Sequence, residues 1–145
     1  MSDEFNEVTA PQHLVFVYGS LLYRLGNHGY ISDQMFIGEY ITKHDDYSMN
    51  SFQDAFPMVT KKGGTQRIRG ELYLVDDKTF AALDRLESNG TMYQREEVAL
   101  DGFDKPVWMY LYMGDGDGLP KLSPSKECNN VLNWFTYVLD KQNTL

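Results

Sequence analysis

The run Leu14-Val15-Phe16-Val17-Tyr18, rich in β-branched and aromatic residues and stopped by Gly19, constrains the fold more than any other feature of this chain. Five consecutive apolar residues closed by a glycine predict a buried strand that ends in a turn at Tyr18-Gly19-Ser20-Leu21. Residues 34–49 alternate loosely and predict a further strand pair. Phe56 to Thr60 and Arg67 to Val75 predict two strands joined by Lys61-Lys62-Gly63-Gly64. In the second of these, Ile68, Gly70, Leu72 and Leu74 share one face and Arg67, Arg69, Glu71 and Tyr73 the other. Val98 to Leu100 and Val107 to Met113 add more strands, the latter placing Trp108, Tyr110 and Tyr112 on one face, read as core with room for one phenol to line a pocket.

Helical signals are fewer. Asp76 is a good N-cap, Asp77 puts negative charge in the first turn, and Phe80, Leu83 and Leu86 recur at helical spacing. Leu21 to Gly26 has room for one or two helical turns. Near the end, Ser123 is expected to cap a helix with Pro124 at its first position and an apolar stripe of Val131, Leu132, Phe135, Val138 and Leu139, with Cys128 in that helix as a small buried hydrophobe. Many strands, few helices and no regular βαβ alternation predict an α+β fold built on a small, mostly antiparallel β-barrel with flanking helices. At 145 residues the chain fits one domain, residues 14–145 including the C-terminal helix, preceded by a disordered lead over 1–13.

Composition closes several functional classes. One cysteine rules out an internal disulfide or a cysteine-based metal site, and a reducing cytoplasm fits best. The charge of −8, from 13 basic and 21 acidic residues, repels phosphates, and the one basic cluster, Lys61, Lys62, Arg67 and Arg69, is small. Neither nucleic acid nor a membrane is therefore an expected partner, since no stretch approaches the roughly 20 apolar residues of a span. The sequon Asn89-Gly90-Thr91 is set aside for want of a signal peptide.

Two features point to chemistry. At 100° per residue, with Phe80 at 0°, Leu83 falls at about 300°, Leu86 at about 240° and Glu87 at about 340°, inside the apolar stripe. Lys78 and Arg85 face the opposite way. Glu87 is thus either a helix-end residue that swings back to solvent or an inward carboxylate whose proton affinity is raised toward the range useful for acid and base catalysis. The second feature, Tyr18-Gly19-Ser20-Leu21, is either an ordinary strand-to-helix turn or one that aims several backbone N–H groups at an anionic or carbonyl oxygen. Phosphate-binding glycine motifs are missing, as is the flanking pattern of a serine nucleophile. Asp115-Gly116-Asp117-Gly118 lacks the later ligands of a calcium loop, and His13, His28 and His44 show no metal spacing, so no metal is expected.

Val15-Phe16-Val17-Tyr18-Gly19-Ser20-Leu21 with Gly26-Asn27-His28, then Phe56-Pro57-Met58-Val59, Arg69-Gly70-Glu71-Leu72-Tyr73, and Leu83-Asp84-Arg85-Leu86-Glu87 with Tyr93-Gln94-Arg95, occur in an order that resembles the γ-glutamylcyclotransferase-like family. The match runs from about residue 14 to 113. The Glu-Ser pair and its spacing to Tyr93 are most similar to γ-glutamylamine cyclotransferase within that family. The resemblance implies a lyase or acyltransferase type of enzyme. It would release 5-oxoproline from γ-glutamyl amines or γ-glutamyl peptides by attack of the substrate's own α-amine. Glu87 would be the acid/base residue and Tyr18, Gly19, Ser20 and Leu21 the substrate binders, with no cofactor. The competing expectation is a non-catalytic γ-glutamyl-binding or regulatory module of the same fold. Leaving group and oligomeric state stay open.

Overall fold

The computed structural model describes residues 12–124 and 130–143. In chain order it contains β1 (Gln12–Val17), a 3-10 turn (His28–Tyr30), β2 (Met35–Ile41), β3 (Ser48–Phe52), β4 (Phe56–Thr60), β5 (Arg67–Asp76), α1 (Asp77–Leu86), β6 (Tyr93–Val98), β7 (Val107–Tyr112), β8 (Val131–Leu132) and α2 (Trp134–Asn143). Six strands make one sheet in the order β2-β5-β1-β7-β6, with β8 alongside β5, while β3 and β4 form a separate ribbon. The fold is α+β, as expected. The sheet is mostly antiparallel, but β1 pairs with β7 and β5 with β8 in parallel.

The expected barrel is not formed. Closure requires the edge strands β2 and β6 to bond along their length. Instead only the chain just beyond them meets, at a single bridge between Thr42 and Leu100 flanked by Lys43 N–H to Ala99 O and Asp101 N–H to Ile41 O. Alternation along a strand reports which face is covered and says nothing about whether two distant edges meet.

The unbroken apolar run of β1 has its cause in two-sided burial. Phe16 packs into one cluster with Ile68, Leu72, Met109 and Leu111, whereas Val15 and Val17 join another with Tyr73, Val75, Tyr110, Phe80 and Leu83. Helix α1 covers the second face. It starts as predicted, Asp76 Oδ1 accepting the Thr79 N–H at 2.7 Å, and its Phe80 and Leu83 are buried. Strand β1 also takes in Gln12 and His13, which the sequence assigned to the lead; His13 stacks on Phe80 and bonds Asp77. Residues 1–11 of the lead lie outside the described residues.

Three local expectations are corrected. Strands β4 and β5 do not form a hairpin across Gly63-Gly64: β4 pairs with β3, turned by Gln53 and Asp54, both at positive φ, and β5 pairs with β1 and β2. Residues 34–49 do supply two strands, but β2 and β3 join different partners. Val131 and Leu132, expected on the stripe of a helix that starts at Pro124, pair in parallel with Arg67 and Ile68 instead, and α2 begins at Trp134, where Asn133 Oδ1 accepts the Thr136 N–H at 3.3 Å; residues 125–129 of that expected helix lie outside the described residues. Val131 and Leu132 keep the burial that their apolar character demands, through a sheet edge rather than a helix stripe. The assignment of Cys128 lies outside the described residues. No helix among the described residues is long and apolar enough to cross a membrane.

Candidate active site

Where β1 ends, the chain folds back over itself. Leu22 N–H donates to Gly19 O at 3.0 Å, Asn27 N–H to Ser20 O at 2.8 Å, and Asn27 Nδ2 to Ser20 Oγ at 2.9 Å. One ring nitrogen of His28 lies 3.0 Å from Leu21 O. The expected helical turns over 21–26 are replaced by these bonds and the 3-10 turn that follows. Gly19 must lack a side chain here, since a Cβ at that position would lie 2.8 Å from Pro57 Cγ. The loop therefore lies directly on β4. Among the described residues the backbone N–H groups of Gly19, Ser20 and Leu21 have no acceptor, so all three remain available to a ligand oxygen.

Glu87 reaches the same place from α1. It is the C-cap of that helix, with its own N–H on Leu83 O at 2.9 Å, and Ser88 behind it adopts a left-handed φ of 49°. Ser88 N–H donates to Arg85 O and Asn89 N–H to Asp84 O, a Schellman arrangement that fixes the corner. The corner is tied to the sheet as well. Arg95 Nε and Nη2 donate to the two Asp84 carboxylate oxygens at 2.8 and 3.2 Å, Tyr110 Oη donates to Asp84 Oδ1 at 2.6 Å, and Arg95 N–H donates to Asn89 Oδ1 at 3.0 Å. The Arg95 guanidinium lies over the rings of Phe80 and Trp108. These contacts hold the end of α1 against β6 and β7, and with it the Glu87 backbone.

Glu87 and the Tyr18–Leu21 turn line one cavity of about 260 Å³, walled further by Asn27, Phe56, Pro57, Met92, Tyr93 and Tyr110. Of the two alternatives that the sequence left for Glu87, the inward one holds. Burial pushes its carboxyl up from the ordinary 4.5 to about 7. No cation or hydrogen-bond donor of the described residues meets its oxygens. The phenols of Tyr18 and Tyr93 are pushed up too, each first by burial; for Tyr18 the phenol of Tyr93 and the Glu87 charge add to it, and for Tyr93 the Glu87 charge follows directly. Tyr93, Pro57 and Asn27 belong to the sequence motifs, but spacing along the chain assigns them no role; only the tertiary fold brings them to the cavity that Glu87 lines. The rings of His13 and His28, by contrast, have structural partners in Asp77 and the Leu21 carbonyl, and no group of three or more His, Cys, Asp or Glu among the described residues is arranged to hold a metal.

A raised carboxyl pKa has a signed consequence for stability. The folded protein keeps the Glu87 proton up to about pH 7, whereas the unfolded chain releases it near 4.5, so stability falls as pH rises between those values and the full cost of ionising Glu87 remains above them. Glu87→Gln removes that cost. The variant is expected to melt higher than wild type at pH 8, by about 2–4 °C for each kcal/mol relieved, and to match it at pH 4.5. Thermal melts at the two pH values check this; a difference independent of pH would contradict it.

Comparison with known proteins adds to this geometry. A family model described as gamma-glutamyl cyclotransferase, AIG2-like, matches residues 15–134. The gamma-glutamylcyclotransferase family protein YtfP of Escherichia coli K12 is 32% identical over 106 residues, which cover 72% of this chain and 87% of that protein. Among solved structures, an uncharacterised Pyrococcus horikoshii protein superposes with a TM-score of 0.70 at 21% identity, covering 90% of this chain and 97% of that one. An AIG2-like protein from mouse superposes with a TM-score of 0.66 at 23% identity over 79% and 88% of the two chains. These two likenesses show the fold.

Proposed function

The chain belongs to the gamma-glutamyl cyclotransferase, AIG2-like family, and from that premise we propose that it releases 5-oxoproline from γ-glutamyl amines or γ-glutamyl peptides. The observation that carries the proposal is the convergence of a buried carboxyl, shifted to about 7, and a row of unused backbone N–H groups on one small cavity. Nucleophile and electrophile belong to one molecule, so the protein's task is to fold the γ-glutamyl chain until its α-nitrogen meets its γ-carbonyl and to move protons as the bonds change.

Glu87 takes a proton from the α-ammonium, freeing the lone pair that attacks the γ-carbonyl carbon. The new C–N bond closes a five-membered ring and leaves negative charge on the carbonyl oxygen, which in this scheme the N–H groups of Gly19, Ser20 and Leu21 receive. The ring nitrogen gives up a second proton. Protonated Glu87 donates to the leaving nitrogen, the old C–N bond breaks, and 5-oxoproline and an amine depart; the remaining proton ends on that amine or in water. A carboxyl that titrates near neutrality suits both halves of this exchange. Ser20 serves as a binder in this scheme, its Oγ already held by Asn27.

Incubation with γ-glutamyl amines, γ-glutamyl-lysine isopeptides and γ-glutamyl dipeptides, with 5-oxoproline measured chromatographically, tests the proposal. Release from at least one class is the expected outcome. Silence across the panel from a protein that still binds γ-glutamyl compounds would make it a non-catalytic module.

A further inference from the structure

Tyr18 and Tyr93 both face the Glu87 cavity, and each phenol has already committed its proton. Tyr93 Oη donates to Pro57 O at 2.9 Å, and Tyr18 Oη donates to Tyr110 O. A carbonyl oxygen can only accept, so neither bond can run the other way. What each phenolic oxygen has left is accepting capacity, and no other hydrogen bond of the described residues uses it. Ionised Glu87 is likewise an acceptor only. The backbone of the turn has the reverse character: the N–H groups of Gly19, Ser20 and Leu21, which have no acceptor among the described residues, are donors.

The residues that line the cavity thus supply uncommitted acceptors as well as uncommitted donors. A substrate α-ammonium, with three N–H donors and no acceptor, is the complement of those phenolic oxygens. We infer that the oxygens of Tyr18 and Tyr93 accept N–H bonds from the substrate's α-ammonium beside Glu87, which makes Tyr93 a substrate-contacting residue and sets the attacking nitrogen next to its base. This inference rests on the γ-glutamyl reading of the cavity and adds to it the means by which the site recognises a free α-amine. Burial keeps both phenols protonated across any working pH, so their protons stay on the two carbonyls. γ-Glutamyl compounds acylated on the α-nitrogen, with one N–H in place of three, are poor ligands by the same argument.

The experiment compares L-glutamate with glutarate, which differs only in lacking the amine, as inhibitors and as calorimetric ligands of wild type, Tyr93→Phe and Tyr18→Phe. Wild type is expected to bind glutamate about 10-fold or more tightly than glutarate, the scale of a hydrogen bond to a charged group. Tyr93→Phe is expected to lose most of that ratio through weaker glutamate binding alone, with glutarate affinity unchanged, because the amine is the only group the two ligands do not share. Tyr18→Phe provides the same reading from the second phenol. A wild-type ratio near one, a ratio untouched by either variant, or equal weakening of both ligands overturns the inference. The function is scored separately by 5-oxoproline release. Turnover without amine preference leaves the cyclotransferase reading standing and removes this one, amine preference without turnover does the reverse, and a protein that neither turns over nor binds either ligand loses both.

Discussion

Glu87→Gln is expected to lower 5-oxoproline release by about 10²- to 10⁴-fold while fold and ligand binding stay nearly intact. Glutamine keeps the size of the side chain and its place at the end of α1, because the corner that aims it is built from backbone bonds of Ser88 and Asn89 and from the Asp84–Arg95 pair, none of which involves the Glu87 side chain. What it loses is the ability to accept and return a proton. Wild type carries a second signature: kcat/KM is expected to rise with pH through an apparent pKa near 7, since only ionised Glu87 accepts the α-ammonium proton. Initial rates from pH 5.5 to 9 measure both effects. A variant that retains more than about a tenth of wild-type turnover excludes Glu87 as the base.

Trp134→Ala is expected to cost about 3–5 kcal/mol, which lowers the melting temperature by roughly 10–15 °C for a chain of this size. Trp134 heads the fully buried side chains at 1% exposure and packs with Leu132, Leu122 and Met49. Its ring also stacks with that of Tyr137, at 5.2 Å between centroids. Truncation leaves a void that backbone anchored by β8 cannot easily close. The helix matters to the site as well. Tyr137 Oη donates to Asp54 Oδ1 at 2.6 Å in the β3–β4 turn, next to the Ala55-Phe56-Pro57 wall of the cavity. Urea or thermal denaturation gives the answer; a loss below about 1 kcal/mol would mean that α2 adds little to the core.

The sheet face of each residue was legible in the sequence wherever burial is decided by a local repeat. Ile68, Leu72, Met109 and Leu111 fall on one side because successive side chains of a strand alternate, and Asp76 caps α1 because its carboxylate reaches an N–H three residues on. Pairing was not legible in the same way. Lys61-Lys62-Gly63-Gly64 has the composition of a hairpin turn, yet β4 turns back on β3, because a left-handed turn at Gln53 and Asp54 brings those two strands together first. Val131 and Leu132 read as part of a helix stripe because a two-residue parallel strand carries no periodicity of its own.

For the site the division is the same. Sequence alone determined that Glu87 falls at the angular position of an apolar stripe and that Tyr18-Gly19-Ser20-Leu21 ends an apolar strand, since both follow from spacing along one element. Only the tertiary structure decided that these two features share a cavity, that Pro57 presses on Gly19, that Asp84 and Arg95 hold the corner, and that the phenols of Tyr18 and Tyr93 commit their protons to the carbonyls of Tyr110 and Pro57. The physical reason is range. A residue's angular position is set within its own helix turn, whereas the direction its side chain takes, its proton affinity and its partners depend on groups up to about 70 residues away along the chain, which only the tertiary packing around α1 brings together.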